Sequence, residues 1–111
     1  MEIEILECPA FKGFQVEFDD VGYWLVIRNY LSDEPDPDTY SPGNAYIFCM
    51  SFSLISKYQE TVLMLNRVKA FLKAEGFKHL FSELKSPDFY MLLELGFMRD
   101  SRYKHLISYK L

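Results

Sequence analysis

Between Ala45 and Glu75 the apolar residues change period once, and that change limits the folds open to this chain more than any other feature. Ala45 to Ile55 (AYIFCMSFSLI) alternates, with Tyr46, Phe48, Met50, Phe52 and Leu54 on one face and smaller residues on the other. Large on one side and small on the other is the pattern of a central strand packed on both faces. From about Gln59 to Glu75 the period becomes that of a helix. Leu65, Val68 and Leu72, flanked by Met64 and Phe71, make an apolar stripe that Arg67, Lys69 and Lys73 avoid. Gly76 closes this helix as the residue just past its C-cap, and Phe77 to Phe81 (FKHLF) continues the chain as a short strand.

The flanking segments extend the pattern. Glu2 to Glu7 places Ile3 and Ile5 on one face, and Phe14 to Phe18 turns Phe14, Val16 and Phe18 inward. Asp19-Asp20-Val21-Gly22 reads as a turn into a third strand, Tyr23 to Tyr30, so Phe14 to Tyr30 is expected to be a hairpin. Leu31 to Asn44 holds three of the five prolines and a run of acids, and reads as an exposed loop. Asp33, Asp36 and Asp38 lie there without the spacing of a calcium loop. Ser86-Pro87-Asp88 starts a second helix: Ser caps it, Pro needs no N–H at the first position, and Asp favours the positive dipole end. That helix runs to Leu95 and ends at Gly96. Phe97 to Arg99 and His105 to Leu111 are the closing strands, giving the order ββββαβαββ in a single α+β domain, residues 1–111.

At 111 residues, half of them hydrophobic, the chain is long enough to bury a core without disulfides or metals. Its apolar runs are too short for a membrane span. Met1 to Glu7 lacks the basic and apolar regions of a signal peptide, so a cytoplasmic location is expected. Cys8 and Cys49 stand in unrelated contexts, without the spacing of a redox or zinc site, and read as reduced thiols. Charge is uneven. Residues 1–55 carry ten acids and two bases, residues 56–111 ten bases and six acids. That asymmetry fits either a dipolar surface that steers a partner or two halves that neutralise each other across the fold. A pI near 5.1 argues against nucleic-acid binding.

Arg67 to Leu80 (RVKAFLKAEGFKHL) and Phe89 to Phe97 (FYMLLELGF), with the element order around them, resemble the second half of the GCN5-related N-acetyltransferase (GNAT) fold, over about 55 residues. The resemblance implies a mostly antiparallel sheet with two helices, trimmed of the helices that normally come after the family's first strand. It also implies an acetyl-CoA site, where backbone N–H groups of a Gly-rich loop and a helix N-terminus hold the pyrophosphate. The corresponding stretch is Ser56 to Thr61, and every signature position departs from the pattern. Gln59 and Thr61 stand where glycines belong, Glu60 adds a repelling charge, and Lys57 offers only a point charge in return. By resemblance the cofactor-binding candidates are Leu54, Ile55, Lys57, Gln59, Thr61 and Val62. The tyrosine that serves the family as general acid corresponds to Leu92, which leaves Tyr90 as a weak catalytic candidate two residues away, on another side of the helix.

Of the two histidines, His79 is the other weak candidate, as a general base beside Ser82 and Glu83; neither histidine belongs to a cluster with metal-ligand spacing. Eight tyrosines and Trp24 are more than a small core can bury with satisfied polar groups, which points to a protein partner or a homodimer. Two functions compete. In the first, a GNAT-like domain without cofactor acts as a non-catalytic binding or regulatory protein of the phage or mobile-element accessory type. In the second, an N-acetyltransferase uses acetyl-CoA on an amine substrate.

Overall fold

Seven strands form one mixed sheet in the computed structural model, which describes residues 3–18, 22–28, 44–50, 58–84, 89–101 and 103–111. The strands are β1 (Ile3–Cys8), β2 (Gly13–Phe18), β3 (Gly22–Arg28), β4 (Asn44–Met50), β5 (His79–Glu83), β6 (Met98–Arg99) and β7 (Leu106–Lys110). The helices are α1 (Tyr58–Ala74) and α2 (Phe89–Glu94), and a 3₁₀ turn at Pro9–Phe11 links β1 to β2. Across the sheet the order is β1-β2-β3-β4-β5-β7-β6. All neighbours are antiparallel except β4 and β5, which are parallel because α1 carries the chain back between them.

One face of the sheet carries the main core. Phe14, Val16 and Phe18 of β2 lie beside Trp24 and Val26 of β3, Ala45 and Ile47 of β4, Leu80 of β5 and Ile107 of β7. Met64, Leu65, Val68 and Leu72 from α1 and Leu92 from α2 close over them. The other face holds a smaller cluster of Tyr46, Phe81 and Leu106, with Ile27 and Tyr103 against it. Tyr46 and Phe81 are register partners across β4 and β5, so the sheet is packed on both faces at its centre.

Both helices end the same way. The Phe77 N–H donates to the Leu72 carbonyl at 2.9 Å and the Gly76 N–H to that of Lys73 at 3.0 Å; the Phe97 N–H donates to Leu92 at 3.0 Å and the Gly96 N–H to Leu93 at 3.2 Å. Each is a Schellman cap, in which a glycine at positive φ (+89° at Gly76, +104° at Gly96) lets its own N–H and the next one satisfy the last carbonyls. The two Gly-Phe pairs that carry much of the GNAT resemblance therefore have a local cause: each phenylalanine occupies the position whose apolar side chain folds back on the helix.

The structure moves several expected boundaries. Phe77 serves the cap, so β5 begins at His79 and not at Phe77. Gln59 to Thr61 are helical rather than loop, because Tyr58 already opens α1 and the stretch has no glycine or proline to delay it. The alternation expected through Ala45 to Ile55 breaks at Phe48. Val26 pairs with Ile47 and Leu25 with Cys49, which leaves Phe48 as the extra residue of a bulge and shifts the parity of the residues beyond it. Met50 thus pairs with Trp24, while Tyr46 pairs with Ile27 on the opposite face. Residues 31–43 of the expected loop, the turn at 19–21, the Ser86-Pro87-Asp88 helix start and residues 51–55 of the long strand lie outside the described residues.

Candidate functional site

The pairing between β4 and β5 is short. Asn44 meets His79, Ala45 meets Leu80 and Tyr46 meets Phe81, and there the register ends, although β4 continues to Met50 and β5 to Glu83. β3 stays with β4 to Met50, and β7 stays with β5 to Glu83. The strands part because the bulge at Phe48 adds a local twist to β4 just beyond the last shared pair. Ile47, Cys49 and Met50 consequently have register partners on β3 and none on β5 among the described residues.

α1 begins eight residues beyond the end of β4. Its first turn holds Gln59, exposed, Glu60, half-buried, and Thr61, fully buried. Thr61 heads the stripe of Met64, Leu65, Val68 and Leu72 that faces the sheet, and its hydroxyl has no hydrogen-bond partner among the described residues. Val62 is half-buried on the flank. Gln59, Thr61 and Val62 therefore share one helical turn, where the resemblance implies that Gln59 to Thr61 are loop. Leu54, Ile55 and Lys57 lie outside the described residues.

The two catalytic candidates stand elsewhere. Tyr90 lies on the solvent side of α2, 68% exposed, while Leu92 is sealed in the main core. His79 opens β5 at its closed end, level with Asn44, and the run of β4 from Asn44 to Met50 separates it from the open end of the parted strands by about 20 Å at roughly 3.3 Å per residue. Burial lowers the pKa of His79; Asp100 works against that shift, and Lys110 and Lys78 add to it. The imidazole is thus biased toward its neutral form, with its ring 6.1 Å from that of Phe81. Asp100 itself accepts hydrogen bonds from the Tyr103 N–H (2.9 Å) and the Ser108 hydroxyl (3.3 Å). Tyr90 and His79 do not converge with the first turn of α1, so the described residues form no acid–base pair there.

Sequence reasoning misses two features. The bulge at Phe48 has no signal in an apolar run, since any residue can occupy it. The Arg28 cluster is the other. Arg28 donates to both carboxylate oxygens of Glu7 at 2.6 Å and to both of Glu75 at 2.9 Å, and its guanidinium lies over the rings of Phe14 and Phe71. Its signal is present in the chain: Arg28 is one of two bases among the first 55 residues. The cluster ties β1, β3 and the C-terminal end of α1 together and commits the guanidinium to these two carboxylates. No group of three His, Cys, Asp or Glu side chains that would hold a metal occurs among the described residues, and no helix among them is long and apolar enough to cross a membrane. Cys8 is a free thiol. Comparison with family models, with curated proteins and with solved structures finds no match to this chain.

Proposed function

We propose that this chain is a trimmed GNAT-like domain that lacks a coenzyme A cradle and works in the cytoplasm as a non-catalytic protein-binding or regulatory module. The observation that carries the reading is the first turn of α1. Thr61 occupies a sheet-facing position with a buried side chain, and Glu60 in the same first turn is a carboxylate that would repel a pyrophosphate bound at this helix N-terminus. The element order and the mostly antiparallel sheet support the scaffold half of the proposal. Exposed Tyr90, Tyr23, Leu6 and Met98 supply apolar surface for a partner.

A second reading, an acetyl-CoA-dependent N-acetyltransferase acting on an amine, is favoured by one observation: β4 parts from β5 on the side of the sheet from which the chain leads into the N-terminus of a 17-residue helix. Thermal unfolding with and without millimolar acetyl-CoA separates the two. A ligand present at 100 times its Kd adds about 2.7 kcal/mol of stability, and each kcal/mol moves the Tm of a domain this size by roughly 4–8 °C. The binding-module reading expects an unchanged Tm. A rise of several degrees overturns it in favour of the acyltransferase.

A further inference from the structure

The two edges of the sheet are built differently. At one end the outermost strand, β6, is two residues long, Met98 and Arg99. At the other, β1 runs six residues in unbroken register with β2, with no lysine, proline or bulge from Ile3 to Cys8. Short strands, edge lysines, prolines and bulges are the usual means by which a monomer keeps its outer strand from pairing. One hydrogen bond fixes which backbone groups of β1 face outward. The Arg28 N–H donates to the Lys12 carbonyl at 3.1 Å, so that carbonyl points to β3 and the N–H of the same peptide, on Gly13, points to β1. Strand alternation then turns Gly13, Gln15 and Glu17 toward β1, and their partners Cys8, Leu6 and Glu4 direct their backbone groups to β2. Ile3, Ile5 and Glu7 are left with N–H and C=O groups directed off the edge.

The side chains add a second constraint. Ile3 and Ile5 pack at the margin of the main core, and Glu7 on the same face is held by Arg28. The opposite face shows Glu4 and Leu6, the latter 44% exposed. A second β1 laid antiparallel keeps each face continuous only when the two-fold axis passes through a residue. On Glu4, the axis sets two carboxylates directly opposite each other. On Leu6, it leaves Ile3 against Pro9, which has no N–H. On Ile5, it brings every outward residue into a hydrogen-bonded pair, Ile3 with Glu7 of the second copy and Ile5 with Ile5, and it lays Leu6 against Glu4 so that no like charges stand directly opposed.

We propose that the chain forms a two-fold homodimer through β1, with Ile5 on the axis and the two sheets joined into one. The strand is its own complement in backbone and in charge, which makes a second copy the occupant of this edge. The inference goes beyond the protein-binding reading and holds whether or not coenzyme A binds.

Sedimentation velocity of the intact protein, from low micromolar to submillimolar concentration, tests it. The expected result is a rise from the mass of one chain, 13.1 kDa, to twice that. Hydrogen exchange at the Ile3, Ile5 and Glu7 amides should slow as concentration rises, while the Glu4, Leu6 and Cys8 amides, already bonded to β2, stay unchanged. Leu6→Glu sets a carboxylate opposite Glu4 of the second copy and should weaken the dimer about tenfold. Leu6→Lys, at the same exposed position, sets a cation there and should leave the dimer as tight or tighter. A chain that stays monomeric across the range overturns the proposal and leaves the protein-binding reading standing. A dimer whose added protection falls elsewhere, at Met98–Arg99 for example, overturns the β1 contact, and equal weakening by Leu6→Glu and Leu6→Lys overturns the register.

Discussion

Gly76 and Gly96 occupy equivalent cap positions and differ in what surrounds them. A Cβ on Gly76 would meet nothing within 4 Å, whereas one on Gly96 would stand 2.9 Å from Cε2 of Tyr109. That ring is held from two sides, by Phe97 at 5.6 Å between centroids and by the Lys69 ammonium 4.2 Å from its own centroid. Gly76→Ala should therefore cost the left-handed backbone strain alone, about 1–2 kcal/mol. Gly96→Ala should cost more, because the ring must also shift. Urea unfolding of the two variants in parallel checks the order, and equal losses would show that Tyr109 yields freely. Arg28 invites a pH test. Its hydrogen bonds hold the Glu7 carboxyl below the ordinary 4.5, against the opposing pull of desolvation and with a smaller contribution from its charge. As pH falls, the unfolded chain takes up this proton first, so the contribution of Glu7 is complete above the ordinary carboxylate range and fades as pH drops from about 4.5 through the folded-state value. Glu7→Gln should be less stable than the parent at pH 7 and should lose that deficit toward pH 3, as measured by urea unfolding across the series. A deficit that stays constant would refute the linkage. Arg28→Lys should cost about 1 kcal/mol at pH 7, a modest figure because Glu7 is largely exposed, and because a lysine keeps the charge but not the two-sided fork.

Among the elements, α1 carries the sharpest contrast. Leu72 and Thr61 are both fully buried on one stripe, yet they do opposite things. Leu72→Ala empties part of the core and should lower stability by about 2–5 kcal/mol. Thr61→Val removes a hydroxyl that has no partner among the described residues, so it should leave stability unchanged or raise it by up to about 1 kcal/mol. Denaturant titration of both variants reads the difference, and a Thr61→Val loss as large as that of Leu72→Ala would show that the hydroxyl is satisfied. The legibility of the sequence divides along the same line, between pattern and pairing. The stripe from Leu65 to Leu72, the inward Phe14, Val16 and Phe18, and both glycine caps are visible because periodicity and φ preference are written residue by residue. Periodicity alone starts α1 one residue late and β5 two residues early, because ends are set by hydrogen bonds such as that from Phe77 to Leu72. The bulge at Phe48 escapes such a reading, since it arises from how β4 is shared between β3 and β5. At the candidate site the missing glycines are legible, but the burial of Thr61 and the early end of the β4–β5 register are not, because both depend on partners distant in sequence.

At the scale of the molecule, the strand order keeps the strands of the two halves of the chain on separate sides of the sheet. β1 to β4 come from the first half and β5 to β7 from the second, and the two groups share only the three pairs between β4 and β5. The Arg28–Glu75 bridge is an ion pair that joins the halves among the described residues. A seam so short raises the question of whether the halves unfold together. α1 answers it physically. Phe71 packs on Phe14 of β2 with centroids 5.0 Å apart, while Lys69 on the same helix covers Tyr109 of β7, so one rigid element spans both sides. Trp24, the sole tryptophan, is fully buried on a first-half strand and reports on the packing of the main core around it, whereas far-ultraviolet circular dichroism weighs both helices and all strands. The two probes should give one coincident transition in urea, as expected of a small cooperative domain. Val68→Ala, in the middle of the stripe, should shift both curves together to lower urea, because the helix serves the two halves at once. Fluorescence that changes ahead of circular dichroism, in the parent or in the variant, would mean that the core around Trp24 loosens first and that the seam, not α1, sets the limit of cooperativity.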